Sequence, residues 1–256
     1  MIQLLKADFY RLWKSRSARI CMVLNILIAI ITILGTSLFT KLFIVAGETF
    51  EGMSGISTLT QSMSWSSIIA IFCTIAITLY TTSGFSNNTQ KYPVTKGYGR
   101  IEVYLSGLII TSAFAVMMLL AYVLSSTLMA TLIWGFGTFT LDMLSGSIMV
   151  IGIQALLHIA LASLMYMVAM TLKGIGEAIA CNLLILTLFA SIVCNLINRF
   201  AENFDSNLYW ILNNMMFLTN PMPSMVDISR AVLVSAGFLM FSTFLGLFTF
   251  HKYEFK

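Results

Sequence analysis

The chain has 256 residues, 59% of them apolar and 9% charged, and a formal net charge of +4 from 14 Lys and Arg against 10 Asp and Glu. An ordinary soluble domain carries about 25% charged residues, so the composition excludes a water-soluble globular enzyme, and its apolarity excludes disorder. The basic residues are spread too thinly for a nucleic-acid face, which leaves one integral membrane domain over residues 1–256.

Residues 1–19 read as an amphipathic cytoplasmic helix. Ile2, Leu5, Phe9, Leu12 and Trp13 share one face at helical spacing, and Gln3, Tyr10, Arg11 and Lys14 share the other. That pattern suits a helix lying in the headgroup plane; the plainer alternative is a basic tail that only sets topology.

Charge-free windows long enough for the roughly 20 residues that cross a bilayer then follow in order. Their apolar parts are Ile20–Thr40, Trp65–Phe85, Tyr104–Ile133, Ser147–Leu172, Ala178–Asn198 and Ala231–Phe250, which gives six expected spans. Leu, Ile and Met dominate them on all sides, so they do not resemble the alternating strands of a membrane barrel. The third and fourth exceed the minimum, which implies tilt or interfacial extension. The first apolar run is long for a signal peptide and is read as a retained span. The four cysteines, Cys21, Cys73, Cys181 and Cys194, all fall in spans without a CxxC pair. They read as reduced apolar fillers, not as a metal site or a disulfide framework.

Orientation follows from Lys and Arg in the short connections. With a cytoplasmic amino terminus, Lys6, Arg11, Lys14, Arg16, Arg19, Lys91, Lys96, Arg100, Lys173, Lys252 and Lys256 lie inside, and Lys41, Arg199 and Arg230 lie outside. Both termini are therefore expected in the cytoplasm. Trp13 falls at the inner edge, and Trp65, Trp134 and Trp210 at or beyond the outer one.

The connection between spans two and three, residues 87–102, is basic and punctuated by Pro93, Gly97 and Gly99. It reads Asn87-Asn88-Thr89-Gln90-Lys91-Tyr92-Pro93-Val94-Thr95-Lys96-Gly97-Tyr98-Gly99-Arg100-Ile101-Glu102 and runs on into Tyr104 and Ser106. Here the chain resembles the permeases of type-2 ABC exporters, in particular the short six-span permeases of bacterial peptide exporters and lantibiotic self-protection systems. The resemblance rests on Thr89, Lys91, Gly97, Arg100, Tyr104 and Ser106. The chain departs from that pattern at Asn88 (Gly is usual), Gly99 (Ser is usual) and Gly107 (Lys is usual), and it lacks the acidic residue that commonly precedes the motif.

The resemblance implies an all-α polytopic fold of type-2 ABC exporter form: six transmembrane helices preceded by an amphipathic interfacial helix. It further implies a coupling loop at 87–102 that docks on a cytoplasmic ABC ATPase subunit, with Lys91, Lys96, Tyr98 and Arg100 as the docking contacts. A second permease chain, the same or different, would complete the transporter. Read without the resemblance, the basic residues of this loop only satisfy the positive-inside pattern. The chain contains no G-x-x-x-x-G-K-[ST], so ATP would be bound by the partner. No cofactor, metal site or catalytic residue is expected in this chain, which reads as a transport subunit and not an enzyme.

The extracellular segment 199–230 is unusually apolar. Phe200, Phe204, Leu208 through Leu212 and Met215 through Leu218 precede Pro221 and Pro223. A stretch of about 12 apolar residues is too short to span and suits an interfacial or re-entrant element, so Trp210, Phe217 and Pro221 are candidates for an outer gate, or else for a plain anchor. Within the spans, Gln154 and His158 share a face of span four. They read either as an interhelical polar contact or as a substrate or proton site, and Asn25, Asn182 and Asn195 as further polar contacts. Ala231, Ser235, Ser242 and Gly246 give span six a small-residue stripe for close helix approach, within the chain or across a dimer.

The expected function is that of a permease subunit in the plasma membrane of a bacterial cell, exporting an amphipathic or antimicrobial peptide. The alternatives are an exporter of drug-like or lipid-like molecules, and a non-transporting scaffold or sensor subunit.

Overall fold

The computed structural model describes residues 1–45, 54–87, 89, 91–138, 140–200, 205–218 and 223–251, with the side chains at 43–45, 142, 189–191 and 251 excepted. Asn88, Phe204, Pro221, Lys252 and Lys256 lie outside the described residues. The described residues form helices and no strands. The protein is a polytopic helical membrane protein: among the described residues five helices are long and apolar enough to cross a bilayer, or six if one bent pair counts as a single span.

Helix α1 (Ile2–Lys14) ends where Ser15 turns extended, and α2 (Arg16–Val45) starts at once. The packed face of α1 is Leu4, Asp8, Arg11 and Leu12, while Ile2, Phe9 and Trp13 stay exposed. Periodicity alone put Arg11 on the outward face. The difference is that α1 has two apolar stripes, one for the bundle and one left open, and a charged pair is carried into the bundle between Leu4 and Leu12.

The second span enters the bundle earlier than its hydropathy indicates. Helix α3 (Gly55–Gln61), a 3-10 turn (Ser62–Trp65) and α4 (Ser66–Ser86) form one continuous path, and Thr58, Thr60 and Ser62 are buried on it. Hydroxyls can sit in a buried helix by bonding back to the preceding turn, as Thr58 Oγ1 does to the Ser54 carbonyl at 2.8 Å. Ser54 and Ser57 close a capping box at the start of α3. The backbone N–H groups of Gly55 and Ile56 donate to the carbonyls of Gly135 and Phe136, each at 3.0 Å. This end of the bundle is thus stitched to the end of the next span.

The connection after α4 holds a short helix, α5 (Lys91–Thr95), followed by α6 (Arg100–Trp134) and α7 (Leu141–Leu172). A tight turn leads to α8 (Ile175–Leu184), which continues through a π-helical stretch (Ile185–Cys194) into α9 (Asn195–Phe200). The bend across this path is 46°. A π-helical stretch displaces the regular hydrogen-bond ladder, which is one of the identifiable causes of a sharp kink. A 3-10 turn (Ser206–Tyr209), α10 (Ile211–Phe217) and α11 (Met225–His251) complete the chain.

Helices α4, α6 and α7 form the centre, with 56–61% of their span windows buried, whereas α2 and α11 bury only 28% and sit at the periphery. The small stripe of α11 packs within the chain, onto α7 and α6. Ser163 and Ser242 hydroxyls lie 2.6 Å apart, and a Cβ at Gly246 would overlap the Tyr104 phenol. A Cβ at Gly107 would likewise overlap the Tyr166 phenol. The Tyr104 and Tyr166 rings are 5.1 Å apart, and the Tyr166 hydroxyl donates to the Tyr104 carbonyl at 3.3 Å. Two glycines therefore make room for two fully buried tyrosines, and this fixes how closely the three helices approach.

Three of the four cysteines are buried, Cys181 is partly so, and all are free thiols. Asn25 donates across to the Met118 carbonyl at 2.9 Å, and Asn182 to Thr78 Oγ1 at 2.7 Å and the Met165 carbonyl at 3.1 Å. Each joins helices across the bundle. Asn195 is exposed.

Candidate functional site

The end of the bundle that carries α1 and α5 holds a cluster of polar side chains with few apolar alternatives. Asp8 Oδ2 accepts from Ser106 Oγ of α6 at 2.6 Å, and its other carboxylate oxygen lies 3.7 Å from Arg11. The Arg11 guanidinium sits 4.4 Å from the Tyr80 ring centroid on α4 and donates to Thr89 Oγ1 at 3.0 Å. Tyr80 donates its hydroxyl to the Asp8 carbonyl at 3.2 Å, and Thr89 donates to the Gly84 carbonyl at 3.1 Å. A planar guanidinium can stack on a ring and donate at its edge at the same time, so one side chain ties α1 to both α4 and the connection that follows it.

The connection itself is tethered on one side and open on the other. Tyr98 packs against the core and its hydroxyl lies 3.4 Å from Gln3 Oε1 of α1, so it faces inward. Lys91 and Arg100 are half-buried. Tyr92 and Lys96 are exposed, with the Lys96 ammonium 4.5 Å from the Tyr92 ring centroid. The hydrogen bond to Tyr92 holds the Lys96 pKa above the ordinary lysine value. Gly97 takes φ +91, a conformation that L side chains rarely adopt, and lets the chain reverse after α5. Gly99 is the N-cap of α6. Having no side chain to cap with, it leaves the role to Glu102, whose carboxylate accepts from the Gly99 N–H at 3.2 Å.

Of the four docking residues expected from sequence, the outward surface of α5 thus presents Lys96, joined by Tyr92, which sequence reasoning did not single out. A Tyr followed four residues later by Lys in a short helix is the signal that would have found it. Three of the residues that carried the resemblance have structural work near this loop: Thr89 accepts from Arg11, Ser106 donates to Asp8, and Tyr104 seats α11.

At the far end, the apolar segment enters the bundle. Ile211, Met215 and Leu218 of α10 and its end are buried, and α10 packs against α4, α7 and α11. Trp210 is also buried, edge-on to Phe238 at 5.6 Å, and Phe217 is exposed. Gln154 of α7 donates from Nε2 to the Met215 carbonyl at 2.6 Å and lies 3.4 Å from the Leu218 carbonyl. Gln154 sits about 20 Å of helix rise from Leu141, at 1.5 Å per residue. At that depth, backbone carbonyls freed at a helix end must find a donor in the protein, and Gln154 supplies one. Asn214 donates to the Leu208 and Trp210 carbonyls at 2.7 and 2.9 Å, and accepts from Arg230 at 3.3 Å. Arg230 in turn pairs with Asp227 at 2.6 Å.

One turn further along α7, His158 is fully buried with Nδ1 2.8 Å from the Gln154 carbonyl. Its Nε2 has no partner among the described residues. A cavity of about 310 Å³ opens nearer the far end between α2, the α3 path and α6. Thr32, Thr36, Tyr122, Ser126 and Gln61 give it a neutral hydrogen-bonding wall.

No family model and no curated protein matches the chain.

Proposed function

We propose that the chain is the membrane-spanning permease subunit of an ATP-driven exporter of the type-2 ABC class, paired with a second permease and with separate ATPase subunits. The observation that carries this reading is the short helix Lys91–Thr95 with the turn after it, which expose Tyr92 and Lys96 while Thr89 and Tyr98 tether the flanks to α1. In this reading an ATPase grips the exposed side. A displacement there passes through Thr89 and Arg11 into α1, and through Asp8 and Ser106 into α6. Such a linkage moves helices as rigid bodies, which is how alternating access proceeds.

The cargo proposed is an amphipathic or antimicrobial peptide. The neutral hydroxyl wall of the cavity beside α2 suits amide and hydroxyl groups better than ions. Helix α10, capped by Gln154, stands as the outer gate in this scheme. Both termini face the cytoplasm of a cell whose plasma membrane holds the complex.

The test is native purification of the tagged chain from its host in mild detergent, with identification of what comes with it. Two permease chains and two ATPase chains are expected. The chain alone, or bound to a protein without an ATP site, would sink the exporter reading and favour a scaffold or sensor. In the purified complex, reversing Lys91, Lys96 and Arg100 to Glu is expected to abolish cargo-stimulated ATP hydrolysis while membrane insertion stays normal. Unchanged stimulation would remove the docking assignment.

A further inference from the structure

The elbow between α1 and α2 frames an apolar cleft of about 260 Å³ that plays no part in the exporter scheme. Leu12, Trp13, Ala18, Met22, Ile26 and Phe114 line it, and Arg19 stands at its rim. An adjoining depression, which shares Arg19 and Val23 with the cleft, is formed by Arg16 and Arg19 beside Ile20, Val23 and Leu24. From Arg19 to Ile26 is about 10 Å of helix rise. The cleft therefore runs from a cationic rim to a purely apolar floor, over a depth comparable with the upper part of an acyl chain.

The charge at the rim is unopposed. Among the described residues no carboxylate lies within ion-pair distance of Arg16 or Arg19, and Arg19 reaches the Lys14 carbonyl at 3.4 Å. Asp8, the acidic residue of α1, is engaged with Arg11 and Ser106 on the packed face. Lys14 adds a third positive charge beside the elbow. Trp13 is 55% exposed and stacks with Phe9, so the apolar wall of the cleft continues onto the open face of α1.

We propose that this cleft binds an anionic phospholipid, its phosphate held by Arg16 and Arg19 and one acyl chain laid against Ala18, Met22 and Phe114. The chemistry selects the headgroup. A zwitterionic lipid brings a cationic group against Arg16, Arg19 and Lys14, whereas an anionic one does not. A soluble phosphate leaves the apolar floor unfilled. The bound lipid fixes the angle between α1 and α2, and with it the position from which Arg11 reaches the rest of the bundle.

The experiment is native mass spectrometry of delipidated protein titrated separately with dioleoyl phosphatidylglycerol, dioleoyl phosphatidylcholine and soluble glycerol phosphate. The phosphatidylglycerol adduct is expected at about thirtyfold lower concentration than the phosphatidylcholine one, as two basic groups at a membrane surface imply. Glycerol phosphate is expected to give no adduct and no competition. Arg16→Gln with Arg19→Gln is expected to erase the preference, and Ala18→Phe to remove the adduct with both arginines intact. Equal binding of the two lipids, a preference that survives loss of both arginines, or equal competition by glycerol phosphate would each overturn the proposal. A second reading needs no folding-sensitive variant. In vesicles, brominated phosphatidylglycerol should quench the wild-type fluorescence component that Trp13→Phe removes, and do so more strongly than brominated phosphatidylcholine. Equal quenching by both would also sink the assignment.

Discussion

Arg11 shows why a charged side chain can be carried into a membrane protein at low cost. It stacks on Tyr80, donates to Thr89 and lies near Asp8, so its charge is shared among a ring, a hydroxyl and a carboxylate. Lysine has neither the planar face nor the fork to do this. Arg11→Lys is therefore expected to destabilise the protein by about 1–2 kcal/mol, read as a lower thermal unfolding midpoint in detergent. In a Tyr80→Leu background the same change should cost clearly less; equal cost in both backgrounds would mean that the ring contact contributes nothing. The glycines facing the two tyrosines work by shape instead of charge. Gly246→Ala puts a methyl into the Tyr104 phenol, an overpacking worth about 1–3 kcal/mol. Tyr104→Phe removes the oxygen nearest that methyl but leaves ring carbons Cζ and Cε2 within 3.0 Å of it, so the double variant should recover only part of the loss. No recovery at all would show that the hydroxyl adds nothing to the clash and that the ring alone sets the approach.

At the scale of elements, α10 is a short helix whose end is held by a side chain of another helix. One side chain on α7 holds its end, because Gln154 Nε2 donates to the Met215 carbonyl and lies near that of Leu218. Gln154→Leu leaves those carbonyls without that donor, at a cost of about 1–2 kcal/mol, and α10 should detach more often than the spans unfold. In a background with the four native cysteines replaced, a cysteine at Met215 should then react faster with a water-soluble maleimide, with little change at a cysteine placed in α6. Equal rates with and without Gln154 would show that apolar packing alone seats α10.

Much of this architecture is legible in the sequence, because charge-free windows of sufficient length leave little choice but helices. What the windows missed is instructive. Helix α3 carries Thr58, Thr60 and Ser62 into the bundle, and a hydropathy window cannot see that each hydroxyl bonds to its own preceding turn. Arg11 was placed outward because periodicity assigns a charge to solvent, whereas its ring and hydroxyl partners lie far away in sequence, at Tyr80 and Thr89. Trp210 packs inside the protein against Phe238 of α11, a contact that no local spacing shows. The pairing of Gln154 with His158 was visible from their spacing. The carbonyls that Gln154 holds were not, since they belong to α10 and its end, sixty-one and sixty-four residues away.

For the whole molecule the open quantity is the parity of crossings, and it turns on the path from Ile175 to Phe200. Five helices cross by length and apolarity alone; the 46° bend decides between a sixth crossing and a segment that turns back. A segment that turned back would place α1 and the end of α11 on opposite sides of the membrane. The Lys and Arg count does not choose between the two, because turning the segment back moves Arg199 and Arg230 inside and Lys252 and Lys256 outside and leaves eleven against three. Length does choose: the path from Ile175 to Phe200 gives about 39 Å of helix at 1.5 Å per residue, enough to cross the roughly 30 Å hydrocarbon core even with the bend. We therefore expect an even number of crossings. Alkaline phosphatase, active only outside the cytoplasm, should be inactive when fused after Lys256 or after Lys173, and active when fused after Asn207. An active fusion after Lys256 together with an inactive one after Asn207 would make the bent segment re-entrant and the count five. The exposed face of α5 and the carboxyl terminus would then no longer share a compartment.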